Sequence, residues 1–275
     1  MGFLLKIVLI TALAGMGGTG LGGAAACLLR RDSSRSVSLL LSFAAGVMTS
    51  VVCFDLLTEA IAPENAAQQT SLLLVVFGVM AGYGVIDLLE GRIERASHRS
   101  AVRSRGRKKP TVLAVPVRDR MNRAPLFVAG LVMAAAIALH NVPEGMVIGA
   151  SFARSAETEL LSRSGLVMAA VIGLHNIPEG MAVAVPLIAG GMRRSRAVLI
   201  TSVTGAPTIL GALLGFCLGV IGPTALALSL SFASGAMLYM VFGELLPESN
   251  LLWRSKLPAL AAIIGMMIGL LVIYA

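Results

Sequence analysis

Eight stretches of about twenty apolar residues, joined by mostly short polar connections, leave this chain few folds to choose from. They lie at about 4–29, 37–61, 70–90, 126–152, 164–190, 197–220, 224–247 and 257–275. A helix of about twenty residues crosses the ~30 Å hydrocarbon core of a bilayer, whereas a barrel strand needs only ~10. Within that core every backbone polar group must find an internal partner, which a helix supplies along its own length. The expected fold is an all-α membrane protein of eight transmembrane helices, forming one transmembrane domain over 1–275 and interrupted by a basic loop at 91–125. The first run, with Lys6 near its start and Ala24-Ala25-Ala26 near its end, also resembles a signal peptide. Its length and glycine content favour a span.

Composition agrees. Charged residues make up 13% of the chain and hydrophobic ones 57%, against roughly 25% charged in a water-soluble domain. The 30 glycines suit helices that approach closely in lipid. Cys27, Cys53 and Cys217 lie in apolar runs without metal-ligand or redox spacing, so they read as packing residues. The net charge of +8 does not indicate nucleic acid, because the cations sit in connections and no aromatic-interleaved basic module accompanies them.

Those cations orient the chain. With the N-terminus outside, the inner connections hold Arg30, Arg31 and Arg35; every Lys and Arg from Arg92 to Arg123; Arg193, Arg194 and Arg196; and Arg254 and Lys256. Only Lys6, Arg154 and Arg163 remain outside. Cytoplasmic loops are enriched in Lys and Arg, so both termini are expected outside a cell (inner) membrane and loop 91–125 in the cytoplasm.

Residues 41–59 (LSFAAGVMTSVVCFDLLTE) and 230–248 (LSFASGAMLYMVFGELLPE) share ten of nineteen positions without a gap, with Asp55 on Glu244 and Glu59 on Glu248. In this orientation the two segments run in opposite directions, the mark of an inverted-topology repeat. A second pair, His140-Asn-Val-Pro-Glu-Gly-Met146 and His175-Asn-Ile-Pro-Glu-Gly-Met181, occupies the fourth and fifth spans. The expected arrangement is a 3+2+3 inverted-repeat bundle.

The paired motifs carry the chemistry. His140 and Glu144, like His175 and Glu179, stand at i and i+4 and share a helix face. Imidazole with carboxylate suits a transition metal, whereas magnesium or calcium favours oxygen alone. Asn141 and Asn176 offer amide oxygens or orient the ligands. Pro143 and Pro178 lack an N–H and free the carbonyls of Leu139 and Leu174, which lipid tolerates only beside protein or a polar cavity. Asp55, Glu144, Glu179 and Glu244 lie in apolar spans whose interiors hold no basic side chain. Each costs at least ~2.5–3.5 kcal/mol at mid-bilayer, and a passing cation offsets that cost. Asp87 and Glu90 read as interface or capping residues, and Glu59 and Glu248 as interface or vestibule acids that attract cations.

HNVPEG and HNIPEG on adjacent spans, within eight helices with external termini, resemble the ZIP (ZRT/IRT-like protein) family, and its bacterial zinc-uptake branch in particular. The resemblance covers nearly the whole chain outside 91–125. It implies import of zinc, or of iron, manganese or cadmium, as transported substrate into the cytoplasm. It also implies a binuclear-type site of His140, Asn141, Glu144, His175, Asn176 and Glu179, with Met48 of the second span as a further ligand. Many relatives carry a glutamate on the sixth span where this chain has Thr208, so a single ion or altered selectivity becomes plausible. The basic loop is arginine-rich where that of many relatives is histidine-rich, and its single histidine, His98, cannot make a metal site alone, which argues against metal sensing there. The expected partners are divalent metal ions and the lipid bilayer, with a homodimer left open.

Two rival readings accompany this one. An intramembrane metallohydrolase needs three ligands, an open water position and a general base, but His-Glu-x-x-His is absent. An exporter or sensor on the same scaffold differs only in the direction or use of the bound ion.

Overall fold

A computed structural model describes residues 2–28, 34–62, 70–105, 123–154 and 163–274. Eight helices in it are long and apolar enough to cross a membrane: α1 Gly2–Leu28, α2 Arg35–Ile61, α3 Leu72–Arg92, α4 Gly130–Ala153, α5 Ser164–Ala189, α6 Arg194–Ile221, α7 Pro223–Leu252 and α8 Leu257–Tyr274. No strand occurs among the described residues. Each helix matches an apolar run of the sequence. The helix containing α3 continues through Arg105 instead of stopping near residue 90, so the first part of the basic connection is helical. Residues 106–122 of that connection lie outside the described residues, as do Arg30 and Arg31.

Burial sorts the helices. α2, α4, α5 and α7 are the most enclosed and α3 and α8 the least. The outward residues of α3 and α8, such as Leu73, Phe77, Met80, Ile263 and Leu271, are exposed and apolar. That pattern suits contact with hydrocarbon on the outside and a polar interior.

Glycine determines which helices meet. α4 and α6 interlock through Gly145 and Gly149 on one side and Gly211 and Gly215 on the other. A Cβ at Gly145 would enter the backbone of Thr208, and one at Gly211 that of Val142. The same close approach joins α1 to α5, α2 to α8 and α3 to α7. Where hydrophobic burial gives no preference between helix and lipid, backbone proximity and the dispersion contacts it permits select the partner. α4 also packs on α5, and α2 on both α5 and α7.

Four of the spans are not uniform helices. α1 carries a π-turn at Leu13–Gly17, α2 at Val52–Leu56 and α7 at Met240–Leu245. α6 breaks between Thr204 and Pro207. Pro207 has no N–H, and Ala206 donates to Val203 O (3.0 Å) while Thr208 donates to Gly205 O (3.3 Å). The break in α6 meets the π-turn in α1: a Cβ on Gly15 would strike Gly205 O and Thr208. π-turns and helix breaks inside a bundle are frequent at functional sites, and these lie beside the paired motifs.

Candidate metal centre

α4 and α5 present their motifs to each other, and Pro143 and Pro178 stand inside continuous helices. His140, Asn141, Glu144, His175, Asn176 and Glu179 are all almost completely buried. They do not converge on one point. Glu144, His175 and Glu179 form one group, with a ligating atom of each within 4.8 Å of the others. His140 joins a second group with Glu90 of α3 and Glu244 of α7, by the same measure.

In the first group His175 Nε2 lies 3.2 Å from Glu144 Oε1. Asn176, with its amide oriented by its surroundings, donates to Glu144 Oε2 at 3.1 Å and to Glu179 Oε2 at 3.3 Å. Glu179 Oε1 has no hydrogen-bond partner among the described residues, an expensive state for a buried polar atom. Two donors held about 2.1 Å from a tetrahedral zinc are about 3.4 Å apart. The His175–Glu144 separation already fits that geometry. One imidazole and two carboxylates form a donor set for a borderline divalent metal.

In the second group His140 Nε2 lies 2.9 Å from Glu244 Oε1. The ring of Tyr239 stacks near His140, with centroids 6.3 Å apart, and packs edge-on to Tyr83 at 5.2 Å. Glu244 stands in the π-turn of α7. The extra residue of such a turn advances the following side chains around the helix. This group is nearer the end of the bundle from which the basic connection leaves α3, since Glu90 belongs to the last turn of that span. Reading Glu90 as an interface or capping residue missed its place here. The available signal was an acid in an apolar span on the same side as His140 and Glu244.

The remaining candidates are distributed as follows. Asn141 is bonded away from the first group: Nδ2 donates to Ile137 O (2.8 Å) and Thr204 O (3.0 Å), and Oδ1 accepts from Thr208 Oγ1 (2.9 Å). Thr208 is therefore bound to Asn141. Met48 is fully enclosed in the apolar core of α2, and Glu59 is buried near the end of that span. Asp55 occupies the π-turn of α2. Glu248 is partly exposed in the last turns of α7.

Eight apolar helices around buried imidazole–carboxylate groups define a multi-pass membrane protein built to handle metal ions. Comparison with known proteins gives the family: the chain matches the ZIP zinc transporter family over residues 3–275 and belongs to it. It is 34% identical to the zinc transporter ZupT of Chlorobium luteolum over 94% of this chain and 93% of that protein. To ZupT of Chlorobium phaeovibrioides it is 35% identical, with the same coverage. Human zinc transporter ZIP11 is 33% identical over 67% of this chain and 56% of its own length. These relatives are transporters and not enzymes, which removes the metallohydrolase reading.

Proposed function

We propose that the chain imports zinc into the cytoplasm, with iron, manganese or cadmium as competing substrates, through an ion site between α4 and α5. The observation that carries this reading is the buried set Glu144, His175 and Glu179, with a ligating atom of each within 4.8 Å of the others and Glu179 Oε1 without a partner among the described residues. The ion is first held by Glu144 and Glu179, with His175 supplying nitrogen and Asn176 turning its amide oxygen inward as the carboxylates take up the metal. His140, on the same face of α4 as Glu144, then passes it to Glu244 and Glu90. Neighbouring sites of moderate affinity let an ion enter and still leave. Asp55, Glu59 and Glu248 serve as acids along the route.

The orientation follows from the basic connections: termini outside, loop 91–125 in the cytoplasm, in a cell membrane. The His140–Glu244–Glu90 group then lies toward the cytoplasm, on the exit side. The inverted repeat has support from packing. Exchanging α1 with α6, α2 with α7, α3 with α8 and α4 with α5 turns the α2–α8 contact into α7–α3, and α1–α5 into α6–α4; both members of each pair occur. The two π-turns at Asp55 and Glu244 correspond as well.

Uptake of zinc by proteoliposomes containing the purified chain tests the reading. His175→Ala and Glu144→Ala should each lower the initial rate at least tenfold while the protein remains folded by size-exclusion chromatography. Unchanged rates in both would remove the site.

A further inference from the structure

The two HNxPEG motifs carry the same asparagine, but their surroundings differ. We infer that Asn141 braces the break in α6 and does not ligand the ion, so that only Asn176 serves the metal and the site is asymmetric. This inference rests on the reading of Glu144, His175 and Glu179 as the ion site.

The case begins at the break. In an uninterrupted helix Thr204 O would accept from the N–H of Thr208, four residues on. Here that N–H turns to Gly205 O, and Thr204 O takes Asn141 Nδ2 at 3.0 Å. A buried carbonyl without a partner is costly anywhere and most costly at membrane depth. Asn141 thus satisfies a group that the break releases. Its second amide hydrogen goes to Ile137 O, one turn back on its own helix. Its oxygen, the only atom it could offer a metal, accepts from the Thr208 hydroxyl at 2.9 Å.

All the strong bonding capacity of Asn141 except one oxygen lone pair is then in use. Both Asn141 and Thr208 are completely buried. Neither can exchange these bonds for water, and withdrawing Oδ1 toward an ion would strand the Thr208 hydroxyl. Gly15 holds the other side of this threonine so closely that no Cβ fits there, which leaves Thr208 little room to turn. Asn176 is placed differently. Its amide faces the carboxylates of Glu144 and Glu179, so a half-turn about its last torsion would present Oδ1 to an ion between them.

The experiment uses the full chain in detergent, cobalt(II) as a spectroscopic probe and zinc as titrant. Asn141→Ala and Thr208→Val should each lower the melting temperature, and the double variant should melt no lower than the worse single one, because both break one connection. In the folded fraction of each, zinc affinity should stay within threefold of the parent and the cobalt d–d bands should not move. Asn176→Ala should weaken zinc at least tenfold and shift those bands. A tenfold loss in Thr208→Val or Asn141→Ala, or tighter binding in Asn141→Asp, would make Asn141 a ligand and overturn the inference. Additive melting losses would overturn the brace. If Asn141→Ala does not fold, the milder Thr208→Val carries the test. Failure of the parent chain to bind either metal would instead sink the ion site itself, while the melting data would still judge the brace.

Discussion

His140 Nε2 stands 2.9 Å from Glu244 Oε1, so the histidine of the first motif is paired with α7 while the glutamate one turn further along α4 faces α5. One helix face thereby serves two groups of donors. If these are successive positions of one ion, Glu244→Gln should separate transport from binding. Zinc uptake should fall about tenfold or more, while calorimetric affinity at the Glu144–His175–Glu179 group stays within about threefold, as expected when an interaction is used after the ground state. An equal loss in both would merge the two groups into one site.

Interlocked glycines make a prediction about assembly. A side chain at Gly145 would enter the Thr208 backbone, so Gly145→Val should cost more than the about 1–3 kcal/mol of ordinary overpacking and reduce folded yield. Gly84 has open space around its Cβ position, and Gly84→Ala should change stability by no more than about 0.5 kcal/mol. Thermal melting of the two variants side by side checks the contrast.

A buried serine cluster ties α2 to α7. Ser249 Oγ donates to Ser38 O (2.8 Å) and also meets the hydroxyls of Ser42 (2.6 Å) and Ser38 (3.0 Å). Removing Ser249 alone should cost about 1–3 kcal/mol, because hydroxyls left behind lose their partner. Replacing Ser42 together with Ser249 should cost less than the sum of the two single changes. Chemical or thermal unfolding of the three variants reads this directly.

Topology is testable without transport. In a background lacking Cys27, Cys53 and Cys217, a cysteine at Arg107 should react with a membrane-impermeant maleimide only after permeabilisation, and one at Ser155 in intact cells. The reverse labelling would invert the orientation drawn from the basic residues and place the Glu90 end of the bundle outside.

The spans were legible because lipid imposes a length and a composition that few other structures share. The fourth span, expected at 126–152, is Gly130–Ala153, and the seventh, expected at 224–247, is Pro223–Leu252. The close α4–α5 pairing of Glu144 with His175 was foreshadowed by the i, i+4 spacing and by antiparallel neighbours. The rest was hidden for identifiable reasons. A π-turn adds one residue to a helical turn and leaves no compositional mark, so the rotation that brings Glu244 to His140 could not be read. In the sequence Asn141 is equivalent to Asn176, because its bonds to Thr204 O and Thr208 Oγ1 depend on the break in α6, which no local pattern announces. Glu90 gives no such signal, because an acid near the end of a span is more often at the interface than in a site.

X-ray absorption at the zinc edge, on the purified chain carrying one equivalent of zinc, reads the donor atoms around the ion. The expected spectrum has one imidazole among oxygen donors, and His175→Ala should erase the imidazole signature while His140→Ala leaves it in place. A spectrum without imidazole, or one that survives the loss of His175, would contradict an ion held between α4 and α5.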